Sequence, residues 1–101
     1  MKHHDITIAR VYLTESSKAL TKMLAYLKTE AKVKGITIFR GIYGYEKNGV
    51  EHSASLVDLS LNLPLVVEFF DEPDKITTII EHLKNMIEAE HIVFWPASVA
   101  Q

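Results

Sequence analysis

Ile36-Thr37-Ile38-Phe39-Arg40-Gly41-Ile42-Tyr43 is the stretch on which the fold turns. Dense in β-branched and aromatic residues, it reads as a strand, with Ile36, Ile38, Arg40 and Ile42 on one side and Thr37, Phe39, Gly41 and Tyr43 on the other. Both sides carry large apolar groups, so neither suits open water. The strand runs into a polar connection, Gly44-Tyr45-Glu46-Lys47-Asn48-Gly49-Val50-Glu51-His52, and residues 39–52 hold three of the four glycines of the chain. Glycine permits positive φ or close approach to a ligand, and the guanidinium of Arg40 offers a planar fork of donors suited to phosphate or carboxylate. The same combination is also how many hairpins reverse direction.

Outward from this strand, the chain punctuates itself clearly. Asp5 to Thr14, with Ile6, Ile8, Val11 and Leu13, reads as a first strand. Ser16 or Ser17 can cap a helix in which Leu20, Met23, Leu24, Leu27 and Ala31 fall on one face, with Gly35 as its stop. Beyond the loop, residues 53–61 are strand-compatible, pause at Asn62, and pass through Pro64 into Leu65-Val66-Val67-Glu68-Phe69-Phe70, an interrupted third strand. Pro73 then stands where a first helical residue belongs, preceded by Asp71 and Glu72, and Ile76, Ile79, Ile80, Leu83 and Ile87 repeat the helical stripe. Ile92 to Trp95 reads as a short last strand ended by Pro96. The order βαββαβ is α+β and ferredoxin-like: a four-stranded antiparallel sheet with two helices on one face.

At 101 residues the chain is a single domain, residues 1–101, too small to cover both faces of its sheet. Each large apolar side chain buried on the open face is worth about 1.5–3 kcal/mol, which predicts an oligomer. The formal charge of −2 with mixed signs provides no basic field for nucleic acid. The absence of cysteine removes disulfides, thiolate metal sites and cysteine nucleophiles together. The start of the chain, Met1-Lys2-His3-His4-Asp5, is followed by alternation rather than an apolar run, so a cytoplasmic location is expected. The terminal amine with His3 is a pattern that chelates copper or nickel, although terminal residues are commonly disordered.

Val33-Lys34-Gly35 followed by the Ile36–Gly44 strand, the later His52-Ser53-Ala54, and Leu59-Ser60-Leu61-Asn62-Leu63-Pro64-Leu65-Val66-Val67-Glu68 together resemble a family of PII-like proteins, across about residues 6–96. The resemblance implies a ferredoxin-like subunit assembled as a homotrimer with its sheets facing inward. It also implies ligand clefts at subunit boundaries and a signalling loop at residues 44–54 that docks on a transporter, channel or enzyme. PII-type proteins bind adenine nucleotides and are regulators rather than catalysts. By resemblance Arg40, Gly41, Gly44, Tyr45 and His52 are the ligand-binding candidates for a small anionic effector, an adenine nucleotide first among them, with no catalytic residue, metal ligand or permanent cofactor.

Two departures shape that expectation. Tyr45-Glu46 stands where the family more commonly has an aromatic followed by glycine, making the turn stiffer and more acidic. Glu88-Ala89-Glu90-His91 lacks the glycines and lysine with which PII proteins hold nucleotide phosphates, so AMP, a cyclic nucleotide or bicarbonate asks less of this chain than ATP. The alternatives are a metal- or bicarbonate-responsive sensor working through histidines such as His52, and a small enzyme of the same fold. No serine, histidine and acid arrangement supports catalysis; Glu68, Asp71 and Glu72 could cluster, but the last two are better read as helix-start residues. His82, off the apolar stripe, and His91, at a helix end, read as structural, and Trp95 as core or interface.

Overall fold

The computed structural model describes residues 2–45, 47, 49–53 and 62–101, with side chains at all of these except 52 and 53. Strand β1 (His3–Thr14) leads to α1 (Ala19–Ala25), which continues as a π-helical turn (Tyr26–Glu30), and then to β2 (Gly35–Arg40). Next come β3 (Tyr43–Tyr45), β4 (Glu51–Ser53), β5 (Pro64–Asp71), α2 (Pro73–Leu83), a 3₁₀ turn (Ala89–His91) and β6 (Ile92–Ala100). The main sheet has the order β2-β5-β1-β6, every neighbouring pair antiparallel, while β3 and β4 form a separate two-stranded ribbon. This is the ferredoxin-like arrangement, with the ribbon inserted between its second and third strands.

Alternation along β5 divides the molecule. Leu65, Val67, Phe69 and Asp71 are buried, and Val67 and Phe69 join Ala9 and Val11 of β1 under the two helices. The helices contribute Met23, Leu27, Ile76, Ile79, Ile80 and Leu83, with Ile87 just beyond α2, so the helical stripes are the ones the apolar spacing marks. Opposite residues, Val66, Glu68 and Phe70, face the side that no helix among the described residues covers. By register, Ile36, Ile38 and Arg40 belong to the helix side of β2, and Thr37 and Phe39 to the open side. Because β2 is an edge, Ile36 and Ile38 overhang the helices and stay exposed.

Several boundaries differ from the sequence reading. The second strand does not run on to Tyr43: it stops at Arg40, Gly41 donates its N–H to the carbonyl of Pro64 at 2.7 Å, and Tyr43 belongs to the ribbon. The third strand starts at Pro64, as suits a residue that cannot donate to a ladder; the expected strand over residues 53–61 lies mostly outside the described residues. Pro96 does not end the last strand, which continues to Ala100, because β6 is an outer edge where one missing N–H costs no sheet bond. On its inner side β6 pairs with β1 as far as His3, so the first strand begins earlier than Asp5 and His3 and His4 are part of the sheet.

Gly35 is not the helix stop. Helical structure ends at Glu30, the chain turns through Lys32 at φ 51°, and Gly35 opens β2 beneath Phe70, whose ring would lie 2.3 Å from a Cβ added there. A cross-strand aromatic covering a strand glycine restores packing that the missing side chain forfeits.

Polar groups fasten one end of the sheet. Asp71, 2% exposed, accepts from the backbone N–H of Glu72 at 2.7 Å and of Lys34 at 3.2 Å and pairs with Lys75 at 2.9 Å. It joins the turn before β2 to the start of α2. Burial pushes its carboxyl up, but the Glu72 N–H, Lys75 and the Lys34 N–H together outweigh that and hold it below its ordinary range. Beside it Glu72 is pulled down by Lys34, 2.8 Å away, and by His4, 2.6 Å away.

Asp71→Ala should therefore lower stability by about 1.5–3 kcal/mol, on the order of 10 °C in Tm. A depressed folded pKa stabilises above the unfolded value and is lost as pH falls through the folded one, so the wild-type advantage should persist at neutral pH and shrink below the unfolded reference of 3.8. Parallel thermal melts from neutral to acid pH check both expectations.

Candidate functional site

The ribbon leans back over the end of the main sheet. Gly41 and Gly44 both pack on Pro64, and a Cβ added at either would stand 2.9 Å and 3.1 Å from its ring. That close approach is the first use of these glycines. The second is a cleft of about 270 Å³ lined by Gly41, Tyr43, Gly44 and Tyr45 on the ribbon side and by Tyr12, Leu13, Thr14, Pro64, Leu65 and Val66 on the sheet side. Its lining is mostly apolar, and the rings of Tyr43 and Tyr45 meet edge to face with centroids 6.4 Å apart while remaining exposed. Such rings still have faces to offer a flat ligand.

Three of the five candidate residues, Gly41, Gly44 and Tyr45, are thus brought to one cleft. Arg40 stands next to it rather than in its lining. Its Nε donates to Glu15 Oε1, one residue past Thr14, and the side chain remains 53% exposed. The ion pair is within the chain, and a guanidinium has donors beyond Nε. The backbone of His52 pairs with Gly44 across the ribbon; its candidacy as a ligand concerns a side chain outside the described atoms, and the end of the expected loop, Ala54, lies outside the described residues.

A second cleft, about 300 Å³, shares Leu13 and Thr14 with the first and is otherwise lined by Ser17, Ala19, Met86, Ile87, Glu88 and His91. His91 was expected to be merely structural; it lines this cleft from the 3₁₀ turn, half-buried, its N–H bonded to the carbonyl of Glu88. Ligand atoms of Glu88, Glu90 and His91 lie within 4.8 Å of one another, a spacing open to a cation. A positive charge already stands there: Lys47, from the connection between β3 and β4, places its Nζ 2.9 Å from Glu90. The pair raises the lysine and lowers the glutamate, each chiefly through the other. His82 is exposed on α2 and stacks on Tyr26 at 3.9 Å, consistent with a packing role.

On the open face the structure assembles a group that reading the sequence missed. Arg10 and Glu68 are directly paired across β1 and β5, with Arg10 Nε donating to Glu68 Oε1 at 2.8 Å. The guanidinium lies 5.6 Å from the ring centroids of both Phe39 and Trp95, and Glu68 and then the Tyr12 hydroxyl hold it firmly charged. A signal was present: Arg10 and Glu68 each interrupt an apolar strand, on the parity opposite to the core.

Comparison with known proteins agrees with this architecture. The CPII protein of Thiomonas intermedia K12, a nitrogen regulatory PII-like protein solved bound to ADP, AMP and bicarbonate, superposes with a TM-score of 0.77 at 17% identity, covering 99% of this chain and 92% of that one. A PII-like signalling protein structure from Thermus thermophilus gives 0.65 at 13% identity, with 98% and 91% coverage. In sequence, the UPF0166 protein of Aquifex aeolicus is 33% identical over 82 residues, 77% of this chain and 78% of the relative. The family model described as Uncharacterized ACR, COG1993 matches residues 6–99. With its sheet order, ribbon and cleft in the PII-like fold, the chain belongs to the DUF190 family.

Proposed function

We propose that this chain is a non-catalytic PII-like regulator, located in the cytoplasm, that binds a small anionic effector, an adenine nucleotide in the first instance, in the cleft between the ribbon and Pro64. The observation that carries the reading is the meeting of Gly41, Gly44, Tyr43 and Tyr45 on one apolar cleft with a guanidinium beside it. A base would lie against the tyrosines and Val66, and Arg40, shared with or released from Glu15, would meet the anion. The similar CPII structures, solved with ADP, AMP and bicarbonate, support an adenine nucleotide as a ligand to test and add bicarbonate as a second.

Regulation then needs only that the effector bind one arrangement of residues 44–54 better than another. That loop is the proposed contact for a transporter or channel, carried on a single PII-like domain. A homotrimer with inward-facing sheets would cover Tyr12, Phe39 and Val93, each more than 40% exposed in the single chain, together with the Arg10–Glu68 pair.

Calorimetric titration with AMP, ADP, ATP, cyclic nucleotides and bicarbonate should give binding by at least one adenine nucleotide, weakened at least tenfold in Arg40→Ala, a loss of about 1.4 kcal/mol. Because Arg40 makes an exposed ion pair, the same substitution should leave stability within about 1 kcal/mol of wild type. Silence across the panel would sink the nucleotide reading.

For assembly, light scattering at micromolar concentration should report three times the mass of the chain, and Phe39→Asp should give the single-chain mass with an unchanged circular dichroism spectrum. A monodisperse wild-type monomer would refute the trimer.

A further inference from the structure

Leu13 and Thr14, at the end of β1, line both clefts, and each cleft has an outer wall that does not belong to the sheet. For the first, the wall is the ribbon strand Tyr43–Tyr45. For the second, it includes Glu88 and His91, on either side of Glu90. Lys47 is two residues beyond Tyr45, and its ion pair with Glu90 joins one outer wall to the other. Side chains 43 positions apart in the chain thus close a ring of contacts around the shared end of the clefts.

We propose that the Lys47–Glu90 pair is a strap that holds the ribbon over the two neighbouring clefts, and that a phosphate of the bound nucleotide competes with Glu90 for Lys47, so that ligand binding releases the ribbon. The competition rests on the nucleotide reading above; the strap does not. Lys47 is a flexible point charge suited to exchanging one anionic partner for another. The pair is exposed on both sides, 82% and 51%, so the strap is weak enough for a ligand to break, shifting an equilibrium by about two- to fivefold. Glu88 adds negative charge that favours the strapped state, and no net charge need be buried to reach it.

Amide hydrogen exchange of Tyr43–Tyr45 and Glu51–Ser53 in the full chain tests the strap. Glu90→Gln should speed exchange there by about two- to fivefold. Glu81→Gln, which removes the exposed partner of Lys84 on α2, should not. The charge swap K47E with E90K should return the rate toward wild type. Equal exchange in Glu90→Gln and wild type overturns the strap.

ADP titration tests the competition, because Glu90→Gln should tighten ADP binding by the same factor. Faster exchange with unchanged ADP affinity overturns the competition and retains the strap. If neither protein binds ADP, the nucleotide reading fails and the competition with it, while the exchange rates still decide the strap.

Discussion

The period-two alternation of β5 is the constraint from which the rest of the molecule follows. It is paired on both sides, by β1 and by β2, so it can neither slip nor twist away, and each of its residues is committed to one face. Val67 and Phe69 commit the helices to one side. Glu68 and Phe70 commit the opposite side to whatever can accept an apolar surface with an ion pair at its centre. Among the described residues the two helices both lie on the other side, and the three-residue strands of the ribbon are too short to supply that cover.

Polar chemistry is distributed accordingly. At one end of the sheet Asp71 and Glu72 tie together the start of β1, the turn before β2 and the first turn of α2, the first as a buried carboxylate taking backbone donors and the second as a half-exposed one paired with His4 and Lys34. At the other end the ties are ion pairs in contact with water, Arg40–Glu15 and Lys47–Glu90, whose members separate at small cost. The first end has a buried carboxylate at its centre. The end with the clefts is held by charges in water.

The element order was legible because helix stripes and strand alternation are strong local signals: Ile76, Ile79, Ile80 and Leu83 mark a face wherever they occur. Boundaries were less so. Pro96 reads as a terminator unless β6 is known to be an edge, and Gly35 reads as a helix stop unless Phe70 is known to lie across it. The cleft was half legible. Gly41, Gly44 and Tyr45 announce themselves by type and spacing, whereas Tyr12, Pro64 and Val66 reach the same cleft only through pairing of β1 with β5. Arg10 and Glu68 are 58 residues apart, and their partnership is a fact of register rather than of spacing.

The covering of Gly35 by Phe70 links two regions that otherwise have little in common. The turn between α1 and β2 lies at the margin of the subunit, but any side chain at position 35 would have to displace an aromatic ring that belongs to the open sheet face. The surface through which a neighbour would be met is therefore sculpted in part by an omission: one hydrogen in place of a methyl group, at the far edge of the sheet, sets how flat that surface can be.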